Sequence, residues 1–138
     1  HVLHGETHIA PSPSIVEPIA AALSERGIEA AHTEYLQMKA SGDWDLDTRG
    51  MNRLGYELLG EGRTIEAIAV FQWNVESDPA SANAYDSLGE AFLVHGDRDS
   101  AAANYRRSLE LDPSNQNARS TLETTFSRCC PRRASSRR

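Results

Sequence analysis

The chain has 138 residues, of which about 39% are apolar and 25% charged, and its formal net charge is −6. This length suits one domain or a short array of helices, and the composition is ordinary for a globular chain. No apolar run approaches the roughly 20 residues that cross a bilayer, so we expect no membrane insertion.

The charge is unevenly distributed along the chain. Residues 1–127 carry nine Arg or Lys against 20 Asp or Glu, whereas residues 128–138 carry five Arg and no acid. An acidic body argues against a nucleic-acid partner, because phosphate contacts need a basic face. We expect 128–138 to be a disordered basic tail. Because the composition of this tail differs from that of the rest of the chain, a read-through or vector-derived origin is favoured over a role in binding anionic lipid or nucleic acid.

The first 13 residues predict a flexible leader, since residues 1–13 hold three His, two Pro and little periodicity. His1, His4 and His8 could gather a transition metal weakly, because imidazoles suit zinc, copper or nickel. A mobile leader is a poor place for a dedicated site. We therefore predict no metal and no cofactor.

Residues 14–40 predict a helical hairpin that acts as a degenerate repeat or an N-terminal cap. Gly27 would stop the first helix, and the second would place on one face, at spacings of three and four, Ile28, Ala31, Tyr35 and Met38. A turn-rich linker follows this hairpin.

Two later segments repeat each other with a period of 34 residues. Helical spacing inside units of this length is typical of helix–turn–helix solenoids, so the predicted fold is all-α. We expect one repeat at 48–81, with helices at about 49–60 and 65–77, and another at 82–115, with helices at about 82–95 and 98–111. The paired positions are Leu54 and Leu88, Gly55 and Gly89, Gly62 and Gly96, Ala67 and Ala101, Phe71 and Tyr105, and Pro79 and Pro113.

The residue types at these positions have physical reasons. Small residues in both helices of a pair allow a close approach, and Gly62 and Gly96 suit a left-handed turn between helices. Ser81 and Asp97 are expected to cap the N-termini of the helices that follow them. A last helix from Asn115 to about Phe126 is expected to form a polar cap, assigned to 116–127.

Residues 48–115 resemble two units of the tetratricopeptide repeat (TPR) family, with Met51 and Tyr85 where a tryptophan is usual. The runs 52–59 and 81–92 also look like the TPR module at the C-terminus of some bacterial serine hydrolases of the β-lactamase-like and esterase kinds. This resemblance implies a protein-interaction scaffold, or an accessory domain of a hydrolase encoded upstream.

The residues themselves point to no reaction. The chain lacks a Gly-x-Ser-x-Gly elbow, a Ser-x-x-Lys pair, a His-Glu-x-x-His helix and a Gly-rich phosphate loop. Ser87 lies beside Asp86, but it sits in a helix with no histidine nearby in sequence. We therefore predict that the chain is not an enzyme.

In stacked helical pairs the first helices line the concave surface, and that surface is the predicted site for a protein or peptide partner. Arginine and asparagine there could donate hydrogen bonds to a peptide carboxylate. The alternative is that Arg53 pairs with Asp86 or Glu90 and only holds the array together. The predicted partner-binding residues are Arg49, Asn52, Arg53, Tyr56, Asn83, Asp86, Ser87 and Glu90.

A two-repeat array is short, so leftover apolar surface could drive homodimerisation or docking against another domain. Trp73 lies two residues past Phe71, which leaves two alternatives open. Trp73 is either exposed at a convex interface or partly buried at the edge of its helix.

Overall fold

The computed structural model describes residues 10–126, and this part of the chain is all-helical. The chain divides into two compact units, residues 1–47 and 48–138, which are described separately below. Most of the predicted leader and all of the predicted tail lie outside the described residues. Within residues 10–126, no helix is both long and apolar enough to span a membrane. The helices are α1 (Val16–Arg26), α2 (Ile28–Ser41), α3 (Thr48–Gly60), α4 (Thr64–Ser77), α5 (Ala82–His95), α6 (Arg98–Leu111) and α7 (Gln116–Thr121), followed by a π-helical turn (Leu122–Phe126).

The first unit is the predicted hairpin, with α1 and α2 separated by Gly27 alone. Gly27 has φ of 90°, which takes the chain out of α1, and its N–H donates to the Ala22 carbonyl at 3.0 Å. The predicted helix stop is therefore confirmed. Of the predicted apolar face of α2, Ala31, Tyr35 and Met38 are buried and Ile28 is half-buried, and α2 packs against α1.

In the second unit each helix packs on the next, from α3 to α7. The four predicted repeat helices are confirmed to within one residue at each end. Both predicted N-caps are also confirmed, since Ser81 accepts a hydrogen bond from the Ala84 N–H and Asp97 accepts one from the Ser100 N–H.

The 34-residue period of the sequence is also a period of tertiary hydrogen bonds. Asn74 Nδ2 donates to the Thr48 carbonyl at 2.9 Å, and 34 residues later Ser108 Oγ donates to the Ala82 carbonyl at 2.7 Å. Each bond ties the end of the second helix of a pair to the start of the first. The two helical pairs are therefore built alike.

The expected close approach within each pair occurs at its glycine. A Cβ at Gly55 would lie 2.4 Å from Cε1 of Phe71, and a Cβ at Gly89 would lie 3.2 Å from the ring of Tyr105. Both rings are buried. The predicted left-handed turns are also present, with φ of 78° at Gly62 and 94° at Gly96.

Two sequence expectations need correction. The single last helix is divided, because α7 ends at Thr121 and a π-helical turn continues to Phe126. Trp73 is neither exposed nor partly buried, with only 4% of its surface accessible. The reason is that α4 has apolar residues on both of its sides and both sides are packed, as the burial of Ala69, Val70 and Phe71 shows.

Candidate functional site

The predicted partner surface lies along the first helices of the two pairs, α3 and α5, which contact each other. We call the accessible residues of this surface the α3–α5 face. Arg49, Arg53 and Asn83 on it are exposed, and its other members are half-buried or, for Tyr56, 37% exposed. The residues of the α3–α5 face are Arg49, Asn52, Arg53, Tyr56, Asn83, Asp86 and Glu90.

Ser87 does not belong to this face, contrary to the prediction. Its side chain is buried, with 1% of its surface accessible. The Tyr56 hydroxyl lies 3.1 Å from Ser87 Oγ and covers it. Helical spacing alone placed Ser87 beside Asn83, but it does not reveal that a tyrosine from the neighbouring helix closes over the serine.

Tyr56 joins the two helices at the centre of the face. Its hydroxyl lies 2.9 Å from Glu90 Oε2 as well as against Ser87. Its ring meets Phe71 edge-on, with 5.2 Å between centroids. Burial, and then the nearby Glu90 carboxylate, raise the pKa of Tyr56 to about 12. Tyr56 is therefore a neutral hydrogen-bonding group throughout the physiological range.

The predicted alternative role of Arg53 is wrong. Arg53 Nε lies 3.8 Å from Glu57 Oε1 on the same helix, and both side chains are more than half exposed. Asp86 and Glu90 bond instead to Asn117 and Tyr56. An exposed pair of this kind contributes little to stability. Arg53 therefore remains accessible to a partner.

Asp86 is fixed by Asn117, a residue that was expected only to form part of the polar cap. Asn117 Nδ2 donates to both carboxylate oxygens of Asp86, at 3.1 and 2.8 Å. Burial raises the pKa of Asp86, and the Glu90 charge adds to the rise, while the hydrogen bonds from Asn117 and Asn115 oppose it. The 34-residue period could have identified Asn117, because it is the counterpart of Asn83.

A polar cavity of about 300 Å³ lies at one end of the face. It is formed where α3 and α5 begin and α4 ends, and Asn52 Oδ1 is buried without a hydrogen-bond partner among the described residues. The helix N-termini and Arg49 bring positive charge to the cavity, whereas Asp78 brings a carboxylate and Asn52 Oδ1 an unsatisfied acceptor, so the cavity suits a group that both donates and accepts hydrogen bonds. Its lining residues are Thr48, Arg49, Asn52, Asn74, Asp78, Ser81, Asn83 and Ala84.

Only three residues of this cavity belong to the predicted partner surface. Arg49, Asn52 and Asn83 were predicted site residues and are brought together here. Asn74 was not predicted because it lies on the second helix of its pair, and only first helices were expected to line the partner surface. It is 95% buried, and its amide bonds the Thr48 carbonyl. Its spacing of three residues from the inward-facing Phe71 was a sequence feature that could have marked it.

Among residues 10–126, no three His, Cys, Asp or Glu side chains gather as a metal site would require. The first unit has a cavity of its own, of about 650 Å³, between α2 and the segment that follows it. Arg26 and Glu34 form an ion pair in its wall, and Met38 and Trp44 supply apolar surface.

No protein-family model matches the sequence, and a search of curated proteins finds no significant relative. The resemblance to tetratricopeptide repeats consequently depends on the residues quoted above.

Proposed function

We propose that residues 48–126 are a TPR-like, non-catalytic scaffold that binds a peptide or partner protein along the α3–α5 face. The observation that carries this proposal is the polar cavity, in which Arg49, Asn52 and Asn83 come together beside two helix N-termini. Arg49 and the Asn83 amide supply donors and Asn52 Oδ1 supplies an unsatisfied acceptor beside one small space, which is what a peptide backbone with its C=O and N–H groups needs.

A second observation supports a peptide in particular. Asn52 Oδ1 is buried and has no partner in the described part of the chain. A buried polar atom without a hydrogen bond costs free energy, on the order of 1–3 kcal/mol. A bound peptide, which presents both N–H and C=O groups, would satisfy either end of the Asn52 amide.

The remaining surface is consistent with this use. Arg53 and the ring of Tyr56 continue the face beyond the cavity, and both are accessible. An aromatic ring beside an arginine is the composition that is enriched at protein interfaces. Peptide docking therefore accounts for an exposed tyrosine that otherwise serves only to join two helices.

The test is affinity capture with the full chain and a variant carrying Arg49→Glu and Arg53→Glu. The matched control carries Arg106→Glu and Arg107→Glu, which make the same charge change on exposed positions of α6. We expect the control and the native chain to retain the same partner and the α3 variant to lose it, at equal helicity by circular dichroism. Equal capture by all three chains would contradict the proposal.

A further inference from the structure

The polar cavity brings together side chains that the fold itself does not use. Arg49 and Asn52 are three residues apart on α3 and so share one face of it, and Asn83 is the second residue of α5. In the described part of the chain, the side chains of Arg49 and Asn83 form no hydrogen bond or ion pair, and Asn52 Oδ1 is buried without a partner. Three polar groups are therefore left for a ligand.

Other polar residues of the cavity hold its walls in place. Asn74 Nδ2 donates to the Thr48 carbonyl at 2.9 Å, and Ser81 Oγ accepts from the Ala84 N–H at 3.1 Å. Asp78 is fixed through its backbone, since its N–H donates to the Asn74 carbonyl at 3.0 Å and its C=O accepts from the Ser81 N–H at 3.1 Å. A pre-organised site of this kind loses less entropy on binding than a mobile one.

The charges that line the cavity cancel each other. Arg49 brings one positive charge and Asp78 one negative charge, and the cavity is lined by no other charged residue. The N-termini of α3 and α5 add partial positive charge, and the C-terminus of α4 adds partial negative charge. A carboxylate would meet the Asp78 charge and the lone pairs of Asn52 Oδ1, whereas an ammonium group would meet the Arg49 charge. The cavity therefore favours a neutral ligand.

The ligand must also donate and accept hydrogen bonds in one small space. Asn52 Oδ1 and the Asp78 carboxylate are acceptors, whereas the Arg49 guanidinium and the Asn83 amide nitrogen are donors. A primary carboxamide carries its N–H and C=O groups side by side, whereas those of a trans backbone amide point to opposite sides. A volume of about 300 Å³ is at the small end of ligand pockets, which measure about 300 to 1,000 Å³, so the cavity suits the tip of one side chain.

We infer that the polar cavity binds a primary carboxamide, that of a Gln side chain in the bound peptide. The carboxamide N–H groups donate to Asn52 Oδ1 and the Asp78 carboxylate. The carboxamide oxygen accepts from Arg49 and Asn83. The bond to Asn52 matters most, because a buried acceptor without a partner is costly and the ligand removes that cost. This inference rests on the proposed peptide-binding function and names the side chain that the function selects.

Defined pentapeptides test the inference by NMR titration of the full chain. The probe is acetyl-Ala-Ala-Gln-Ala-Ala-N-methylamide, whose ends carry neither a charge nor a primary amide. It is compared with peptides that carry Glu, Leu or side-chain-dimethylated Gln at the central position. We expect the Gln peptide to bind about 10-fold more tightly than each of the three, because only Gln supplies both donors and an acceptor without a charge.

Variants assign this preference to the cavity. Asn52→Leu removes the buried acceptor at similar volume, so the preference for the Gln over the Leu peptide should fall toward one. The same variant should resist urea as well as the native chain or better, because it loses a buried polar atom that has no partner. Asp78→Asn should raise the affinity for the Glu peptide. The matched control is Gln72→Leu, which removes an exposed amide outside the cavity and should leave every ratio unchanged.

The outcomes separate this inference from the function on which it rests. If affinity capture depends on Arg49 and Arg53 but the Gln, Glu and Leu peptides bind equally or not at all, the inference is wrong while peptide binding stands. A Glu peptide that binds as tightly as the Gln peptide would also overturn it, since the cavity would then accept an acid. Propionamide tests for a small-molecule source of the same group. If propionamide binds as tightly as the Gln peptide, the peptide adds nothing and the inference fails.

Discussion

At Gly55 the backbone of α3 meets a buried aromatic ring. An added Cβ would lie 2.4 Å from Phe71 Cε1, whereas the equivalent atom at Gly89 would lie 3.2 Å from the Tyr105 ring. Alanine gains about 1 kcal/mol over glycine within a helix, but overpacking a core costs about 1–3 kcal/mol. We expect Gly55→Ala to lower the free energy of unfolding by about 1–2 kcal/mol, measured by urea denaturation.

Gly89→Ala is the matched comparison. At Gly89 the helix propensity gained with alanine nearly cancels the cost of overpacking, so we expect the free energy of unfolding to change by no more than about 0.5 kcal/mol. Adding Phe71→Leu to Gly55→Ala should cost less than the sum of the two single changes, because the smaller side chain makes room for the methyl group. Additive single effects would show that the ring is not the source of the cost.

Asp86 should make the folded state less stable as pH rises, which is opposite to the effect of a carboxylate whose pKa is lowered by folding. Its folded-state pKa is raised above the ordinary value of 3.8, chiefly by burial and next by the Glu90 charge. The protonated form is therefore favoured in the fold. Its contribution is fully present below the ordinary pKa and is lost as pH rises through the raised one. We expect the stability of the native chain relative to Asp86→Asn to fall across that window, measured by denaturation at several pH values.

Asp112 provides a control of opposite sign. Hydrogen bonds from the Ser114 hydroxyl and N–H lower the pKa of Asp112, so its contribution appears as pH rises toward the ordinary value. Relative to Asp112→Asn, the native chain should gain stability as pH rises toward 3.8, whereas relative to Asp86→Asn it should lose stability as pH rises above 3.8. Equal slopes for the two comparisons would contradict the assignment of Asp86.

At the scale of elements, the hydroxyl group of Ser108 joins three helices. Ser108 Oγ donates to the Ala82 carbonyl at the start of α5 and accepts from Asn115 Nδ2 at the start of α7, at 2.7 and 2.8 Å. The serine is fully buried. Ser108→Ala should therefore cost about 1–2 kcal/mol, because it leaves buried partners unsatisfied.

Hydrogen exchange can show which part of the fold Ser108→Ala destabilises. The Ala118 N–H donates to Asn115 Oδ1, so its protection should fall in Ser108→Ala as the N-terminus of α7 loosens. Thr33→Ala on α2 removes an exposed side-chain hydrogen bond to the Glu29 carbonyl and should change stability little. Unchanged protection at Ala118 would show that α7 does not depend on Ser108.

The elements were largely predictable because their determinants are local. Helical spacing, cap residues and turn glycines specify each helix from neighbours within a few positions, and the helices of both pairs lie where these features predict. No local sequence feature marks the division of the last helix, where Leu122 and Phe126 pack against a cluster that includes Tyr105 on α6. Contacts of that kind join residues that are distant in sequence.

The site was predictable only in part for the same reason. Spacing placed Arg49, Asn52 and Asn83 on one side of their helices, and the structure brings them to one cavity. Spacing could not show that Tyr56 rather than Arg53 would reach Glu90. The choice depends on which side chain reaches the neighbouring helix, and the lateral separation of two helices is a property of the packed core.

At the scale of the whole molecule, the chain consists of two compact units of unequal size, residues 1–47 and 48–138. The larger unit contains both helical pairs and the α7 cap, with a recurring set of hydrogen bonds between consecutive helices. The smaller contributes one hairpin, and a segment of that size buries too little surface to fold alone. The two units should therefore differ sharply in independent stability.

Two fragments test this difference. Fragment 48–138 should be helical and unfold in a single cooperative transition by circular dichroism, because nearest-neighbour packing stabilises a stack of helices. Fragment 1–47 should show little helicity, since an isolated hairpin of two short helices is marginal in water. A broad, non-cooperative transition of 48–138 would mean that the repeats depend on the hairpin. The face formed by α3 and α5 would then have to be studied only in the full chain.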